Sequence, residues 1–128
     1  TTEQPRVARN VGVPSTRNHN NDDRFAVRLA DASMNKLFAQ GSYAICVHTD
    51  EEEKFRVGDV VYVERLRDGL MELSLRRVAA ATAGVMKLTT CSVDPKLRQE
   101  LTIPSPRKDE HVRILGRAVG KYEDFSPV

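Results

Sequence analysis

Apolar side chains alternate with other residues at positions 25–29, and Arg28 falls on the face opposite the large apolar ones. An alternation of this kind has the period of a half-buried β-strand. Asp31 breaks it, and the apolar spacing over residues 32–39 then fits one or two helical turns. The pattern therefore predicts a strand followed by a short helix, with Ser33 at the junction.

Further strands are predicted along the rest of the chain. The most apolar run, residues 43–47, follows a Gly-Ser turn and predicts a buried strand. Residues 85–90 predict another short strand, and residues 111–122 predict the last one, in which Gly116 indicates a bulge or a close approach of two backbones. Residues 91–104 carry turn signals and an extended exit, so they are predicted to be irregular. Together these elements predict a mainly β domain of mostly antiparallel strands with one short helix.

An Asp-Gly dipeptide at positions 68–69 predicts a two-residue β-hairpin between residues 57–66 and residues 70–79. A loop of that length places Arg65 opposite Glu72. Their opposite charges favour this register, because cross-strand pairs of opposite sign are stabilising.

The same register divides the second strand of the hairpin into two faces. Glu72, Ser74 and Arg76 fall on one face, and Leu73 and Leu75 fall on the other. Arg76 is therefore expected to point toward the more polar side of the strand, where a cleft could form.

Length and composition describe one ordinary domain. The chain has 128 residues, of which 40% are apolar and 30% are charged, and this balance is sufficient for a single core. Residues 1–23 are polar, contain proline and lack apolar periodicity, which is typical of a linker or an extended arm. The domain is predicted to span residues 24–128, and the chain is interpreted as the C-terminal part of a longer polypeptide.

Charge and hydropathy narrow the possible functions. The net charge of +2 is too small for the clustered basic face that duplex binding requires, so this domain is not expected to contact DNA itself. The longest apolar run, residues 43–47, is far too short to span a membrane, and no signal-peptide pattern is present at the front. A soluble, cytoplasmic protein is expected.

The histidines and cysteines do not predict a metal centre or a disulfide framework. His19, His48 and His111 have no ligand-like spacing, so neither a metal nor another cofactor is expected. Cys46 lies within the apolar run and is expected to be a buried thiol that does not pair with Cys91.

Ser33 is the candidate for chemistry. Backbone N–H groups are free where a helix begins, so the position suits either an N-cap or a nucleophile beside an oxyanion site. Capping is the commoner role of a serine at such a junction.

Ordered sequence blocks resemble a known family. ASMNKLFAQGS with YAICV, then VGDVVYVERL, LSLRRV and HVRILGRAVG are similar, in order and spacing over residues 25–122, to the self-cleaving C-terminal domain shared by LexA, the lambda-type phage repressors and UmuD. In that family the Ser-Met pair supplies the nucleophile, and a lysine on a later strand supplies the base. The resemblance implies that Ser33 occupies the nucleophile position and that Arg76 occupies the position of the lysine.

Departures from the family pattern imply that catalysis has been lost. A serine nucleophile needs a proton acceptor, and arginine cannot serve because its pKa stays above about 12. The family usually has glycine and then Asp or Asn before the Ser-Met pair, whereas this chain has Asp31 and Ala32, which could bring negative charge into the oxyanion region. Lys36 and Lys87 are the candidate substitute bases.

The resulting expectation is the dimerisation and regulatory domain of a phage-type or SOS-type transcriptional repressor, without self-cleavage because Arg76 replaces the lysine base. It is expected to form a homodimer or a higher oligomer, with the last strand taking part as in the family. Operator DNA would be bound through an upstream helix-turn-helix domain, and neither a membrane nor a small-molecule substrate is expected. The alternative is an active self-cleaving serine protease domain that uses Ser33 and another lysine. A β interaction module of unrelated descent also remains open.

Overall fold

The computed structural model describes residues 7–8, 24–50 and 54–123. Within this part of the chain there are eight β-strands and one turn of 3-10 helix at Pro95–Leu97. The strands are β1 (Val7–Ala8), β2 (Arg24–Arg28), β3 (Tyr43–His48), β4 (Val60–Arg67), β5 (Leu70–Thr82), β6 (Val85–Thr89), β7 (Glu100–Ile103) and β8 (Glu110–Tyr122). The prediction of a mainly β domain is confirmed.

The strands form one sheet in the order β1-β2-β3-β8-β4-β5-β6-β7. Every neighbouring pair is antiparallel. The last strand, β8, lies between β3 and β4, with residues 116–122 paired with β3 and residues 110–117 paired with β4. The strand is therefore paired on both sides at residues 116 and 117.

The β4–β5 hairpin has the predicted register. Arg65 lies opposite Glu72, and Asp68 and Gly69 both have positive φ angles, 53° and 78°. Positive φ at both central residues is the type I′ geometry for which Asp-Gly is favoured, because its twist matches that of the flanking strands. The local turn chemistry therefore sets the pairing that places Arg76 on β5.

The β5–β6 connection is a second two-residue turn, at Ala83 and Gly84, with φ angles of 49° and 80°. The predicted strand ends at residue 79, before this turn, because the small residues at 79–84 are typical of an irregular connection. Alanine has a Cβ atom and is rarely found at positive φ, where side-chain contact with the backbone costs roughly 1 kcal/mol.

Two hydrophobic clusters cover opposite faces of the sheet. Tyr62 belongs to one cluster, while its chain neighbours Val61 and Val63 belong to the other, since successive side chains of a strand point to opposite faces. We call these the Tyr62 face and the Val63 face. The Tyr62 face holds Val27, Leu29, Met34, Phe38, Ala44, Cys46, Tyr62 and Leu75, and the Val63 face holds Val61, Val63, Val78, Leu88, Leu101 and Val112.

Gly116 of β8 lies beside β3, where the Phe25 side chain of β2 and the Val47 backbone leave little space. A Cβ atom at this position would lie 2.7 Å from Cζ of Phe25 and 2.8 Å from the carbonyl oxygen of Val47. The pairing of β8 with β4 also shifts register close by, between Tyr62 and Val63. Both features predicted for Gly116, the bulge and the close backbone approach, are confirmed.

The short helix predicted after Ser33 is a turn, and this part of the prediction is wrong. The N–H of Phe38 donates to the carbonyl of Met34 at 2.9 Å, as in a helix. The N–H of Lys36, however, donates to the carbonyl of Cys91 at 3.0 Å rather than to the carbonyl four residues back. The helical hydrogen-bond pattern is incomplete because the segment bonds instead to residues that follow β6. Met34 and Phe38 are buried, so the apolar spacing correctly identified the side chains that cover the sheet.

The stretch 91–104, predicted to be irregular, contains a 3-10 helix and the edge strand β7. The side chain of Asp94 accepts a hydrogen bond from the N–H of Lys96 and caps that helix. Among the described strands, β7 pairs with β6 alone. It has four residues, too few for an alternation of apolar and polar side chains to be recognised in the sequence.

The arm predicted for residues 1–23 lies outside the described residues except at Val7–Ala8. These two residues pair with Val27 and Ala26 of β2 and so form one edge of the sheet.

Candidate functional site

Ser33, the candidate nucleophile, lies in the turn between β2 and β3 and is half-buried. Its N–H donates to Oδ1 of Asp31 at 2.8 Å. In serine hydrolases the N–H of the nucleophile is commonly one of the groups that stabilise the oxyanion. Here a carboxylate takes that donor, and an oxyanion developing beside Ser33 would meet a negative charge.

The alternative role of Ser33, an N-cap, is not formed either. A capping hydroxyl accepts from the N–H group two or three residues further on. In this turn the N–H of Asn35 donates to the carbonyl of Ala32 at 3.2 Å, and the N–H of Lys36 donates to the carbonyl of Cys91 at 3.0 Å. Backbone carbonyls therefore satisfy both groups that a capping serine would have bound.

The Ser33 turn is anchored to the segment that follows β6. The N–H of Cys91 donates to the carbonyl of Ser33 at 2.8 Å, and the carbonyl of Cys91 accepts from the N–H of Lys36 at 3.0 Å. The N–H of Val93 donates to Oδ1 of Asn35 at 2.8 Å. This pairing holds the turn in place over the sheet and so fixes the position of Ser33.

Arg76, the second candidate, lies on β5 and is 2% exposed. Its Nε donates to Oγ of Ser74 at 3.2 Å, its Nη1 donates to the carbonyl of Gln99 at 3.2 Å, and its Nη2 donates to Oε1 of Gln99 at 3.0 Å. The same Nη2 lies 3.6 Å from Oε1 of Glu72. These contacts confirm that Glu72, Ser74 and Arg76 share one face, as the hairpin register predicts.

Burial and three neighbouring charges act on the pKa of Arg76. Burial lowers the pKa of Arg76 from its usual value, Glu72 opposes this shift, Arg65 adds to it, and Asp31 opposes it. An arginine guanidinium stays protonated at neutral pH even when burial lowers its pKa. Asp31, two residues before Ser33, is one of the charges that act on the pKa of Arg76.

Gln99 and Thr90 connect the two candidate residues. The carbonyl of Gln99 accepts both from Arg76 and from the N–H of Thr90, the latter at 3.1 Å. Oγ1 of Thr90 accepts in turn from the N–H of Gln99 at 3.0 Å. Thr90 is followed by Cys91, which is bonded to Ser33. Among the described residues no hydrogen bond joins Ser33 and Arg76 directly, and the connection between them runs through these intervening residues.

The candidate substitute bases, Lys36 and Lys87, are both exposed. A lysine acts as a base near neutral pH only when burial or a neighbouring charge lowers its pKa. Lys87 lies on β6 with Ala80 and Thr102 as its neighbours on the adjoining strands. Neither lysine therefore has the dry surroundings that a general base needs.

A groove of about 380 Å³ adjoins the Ser33 turn. Its lining includes Leu37 and Phe38 of the turn together with Arg77, Ala118 and Lys121. Nζ of Lys121 donates to the carbonyl of Leu37 at 3.4 Å. Neither candidate residue lines this groove, which is therefore a neighbouring feature of the surface rather than part of the pair.

Gln99 and Thr90 were not among the site residues predicted from the sequence. Both lie in or beside the stretch predicted to be irregular, and glutamine and threonine are ordinary residues in polar connections. No motif marks them, because their role depends on the strand pairing that brings residues 90 and 99 together.

The remaining candidate chemistry is limited. Within residues 7–8, 24–50 and 54–123 no group of three or more His, Cys, Asp or Glu side chains is arranged to hold a metal ion. The thiols of Cys46 and Cys91 are free, and burial raises the pKa of Cys46 to about 12. No helix in this part of the chain has the length and apolar character to cross a membrane.

No protein-family model matches the chain, and no curated protein matches it. Functional assignment therefore depends on the ordered sequence blocks and on the contacts of Ser33 and Arg76 described above.

Proposed function

We propose that this chain is the dimerisation and regulatory domain of a LexA-like transcriptional repressor of the phage or SOS type, and that it does not cleave itself. In this role it forms homodimers in the cytoplasm and meets operator DNA through an upstream helix-turn-helix domain. Joining two DNA-binding domains lets them engage two half-sites together, so a dimerisation domain raises operator affinity without touching a base.

The observation that carries the proposal is the state of Arg76. The family resemblance assigns the proton acceptor to this position, and the side chain found there is buried and donates hydrogen bonds to Ser74 and Gln99. A guanidinium of this kind cannot take a proton from Ser33.

Two further observations support the absence of self-cleavage. Asp31 accepts a hydrogen bond from the N–H of Ser33 and so takes a donor that an oxyanion would need. Lys36 and Lys87 are exposed, so neither has the dry surroundings that a lysine base requires.

Self-cleavage is tested on the complete gene product that contains this chain, incubated at alkaline pH, where a lysine base would be deprotonated. We expect no specific fragments from the wild type. Fragments that appear in the wild type and disappear in Ser33→Ala would instead establish the alternative, an active self-cleaving protease, and would overturn the proposal.

A gain-of-function pair tests the origin of the site. Arg76→Lys combined with Asp31→Gly restores two of the residue types that the family uses, so we expect slow cleavage that depends on Ser33. Arg67→Lys with Asp31→Gly is the matched control, because it makes the same exchange at the outer end of the hairpin, where Arg67 pairs with Leu70. Cleavage by both combinations, or only by the control, would contradict the assignment of Arg76 to the base position.

Dimerisation is tested separately by sedimentation equilibrium of the 128-residue chain. A dimer is expected. A clean monomer at the highest attainable concentration would remove the proposed role.

A further inference from the structure

The β4–β5 hairpin carries an apolar surface at its outer end. In the described part of the chain the large apolar side chains with high exposure are Val57, Leu66, Leu70, Met71, Val85 and Val93. Leu66, Leu70 and Met71, which are 43%, 46% and 37% exposed, all lie beside this one turn. Single exposed apolar residues are ordinary on a protein surface, whereas neighbouring ones mark interaction sites.

Leu66 and Met71 lie directly opposite each other across the two strands, so their side chains are neighbours on one face. This is the Tyr62 face, because Leu73, one step further along it, packs against that cluster. Met34 and Phe38 of the Ser33 turn belong to the same cluster. The exposed pair is therefore an outward continuation of the hydrophobic core, beyond the part that the turn covers.

Charged side chains border this apolar pair. Nε of Arg113 lies 2.9 Å from Oε1 of Glu64, and the register places Glu64 beside Arg113 and Leu66 beside His111. We call the surface formed by Glu64, Leu66, Met71, His111 and Arg113 the hairpin face. It carries one carboxylate and one guanidinium, so its formal charge is zero with neutral histidine.

We infer that the hairpin face is the surface through which two copies of this chain associate. The inference rests on the proposed function, which requires a dimer. In a two-fold dimer the same patch is used by both copies, and the ion pair of Glu64 with Arg113 makes the hairpin face self-complementary, because two copies can exchange partners across the contact. Leu66 and Met71 form the apolar centre, while Glu64 and Arg113 form the polar rim, as in stable interfaces. A nucleic acid would instead require an excess of positive charge.

Sedimentation equilibrium on point variants tests the surface. Leu66→Glu and Met71→Glu each place a carboxylate at the centre of the contact, so each should raise the dimer dissociation constant by about thirtyfold or more. Val93→Glu is the matched control, since it makes the same kind of change at a 69% exposed apolar residue outside the hairpin face. The control should stay within about twofold of the wild type, as surface changes outside an interface are energetically small.

A second measurement does not depend on tolerance of a new charge. Met71→Cys and Val93→Cys are prepared in a Cys91→Ser background and treated with a short bifunctional thiol reagent, while the buried Cys46 stays protected. Covalent dimers are expected from Met71→Cys only. Equal cross-linking of the two variants would overturn the inference.

The outcomes separate the two proposals. A wild-type dimer that both glutamate variants leave intact would refute the hairpin face and leave dimerisation, and with it the proposed function, standing. A wild-type monomer would refute the dimer that both proposals require. A dimer lost in both glutamate variants and kept in Val93→Glu would support both.

Discussion

Replacing Gly116 by alanine tests the close packing of β8 against Phe25 of β2 and Val47 of β3. The added Cβ would lie 2.7 Å from Cζ and 3.1 Å from Cε1 of Phe25, and 2.8 Å from the carbonyl oxygen of Val47. Real Cβ atoms do not approach other atoms this closely, so something must move. The Val47 carbonyl belongs to β3, which is paired on both sides, and the Phe25 ring is therefore the group that must shift.

The cost follows from the surroundings of that ring. Its centroid lies 4.6 Å from that of His48 and 5.6 Å from that of Tyr62, so a shift gives up part of the aromatic contact energy, which is about 0.5–1.5 kcal/mol for a pair. Forcing an extra methyl group into a filled core costs about 1–3 kcal/mol. Restricting the unfolded chain by replacing glycine returns about 0.4–1 kcal/mol. Gly116→Ala should therefore lower the free energy of unfolding by about 2 kcal/mol.

Gly120→Ala is the matched control on the same strand. A Cβ at Gly120 has no atom within 4 Å, so this substitution should be neutral or stabilise by up to about 1 kcal/mol. Urea unfolding of both variants measures the difference, which should be about 2–3 kcal/mol. Equal unfolding midpoints and slopes for the two alanines would refute the close approach.

A double variant identifies the atom that causes the loss. Phe25→Leu removes the ring atoms nearest the new methyl group, so in this background the cost of Gly116→Ala should fall by about 1 kcal/mol. Strictly additive losses would mean that the Val47 carbonyl, not the ring, limits the space.

Three further predictions concern other parts of the sheet. Ala83→Asn should raise the free energy of unfolding by about 0.5–1 kcal/mol, because asparagine tolerates the positive φ at that turn better than alanine. Urea unfolding measures this change, and a loss of stability would contradict the prediction. Burial raises the pKa of Cys46 from 9.0 to about 12. Between pH 9 and pH 12, unfolding therefore releases the thiol proton. In this range the free energy of unfolding should fall by about 1.4 kcal/mol for each unit that the pH rises. Denaturation at several alkaline pH values should show this slope, and Cys46→Ala should flatten it; an unchanged slope in that variant would assign the effect elsewhere. The hydroxyl of Tyr62 is buried without a hydrogen-bond partner among the described residues. Tyr62→Phe removes this unsatisfied polar group, so it should be neutral or stabilise the protein by about 1 kcal/mol in thermal unfolding. A clear destabilisation would show that the hydroxyl is satisfied.

Local rules account for the parts of the fold that the sequence predicts. The alternation before Asp31 marks β2, and the Asp-Gly dipeptide sets the register that pairs Arg65 with Glu72. Gly116 was identified for a similar reason, because a glycine inside a strand usually marks a position where a side chain does not fit. Each of these inferences depends only on residues that are close in the chain or joined by one tight turn.

The parts that were missed depend on contacts between distant segments. The segment after Ser33 has helical spacing, yet Cys91 takes the N–H of Lys36 and the segment remains a turn. The bond between Gln99 and Thr90 likewise appears only once β6 and β7 are paired. Propensity and period describe the preference of an isolated segment, and tertiary hydrogen bonds override that preference at both places.

The position of Arg76 links the loss of chemistry to the architecture of the site. A lysine base requires burial, because desolvation lowers its pKa toward neutrality. Burial of an arginine at the same position leaves the charge in place and directs its donors to fixed acceptors, here Ser74 and the two oxygens of Gln99. An ammonium group has no planar fork and could not reproduce this bidentate contact. Arg76→Lys should therefore loosen the connection that runs through Gln99 to the Ser33 turn, so a variant that regains a proton acceptor should also be less stable than the wild type.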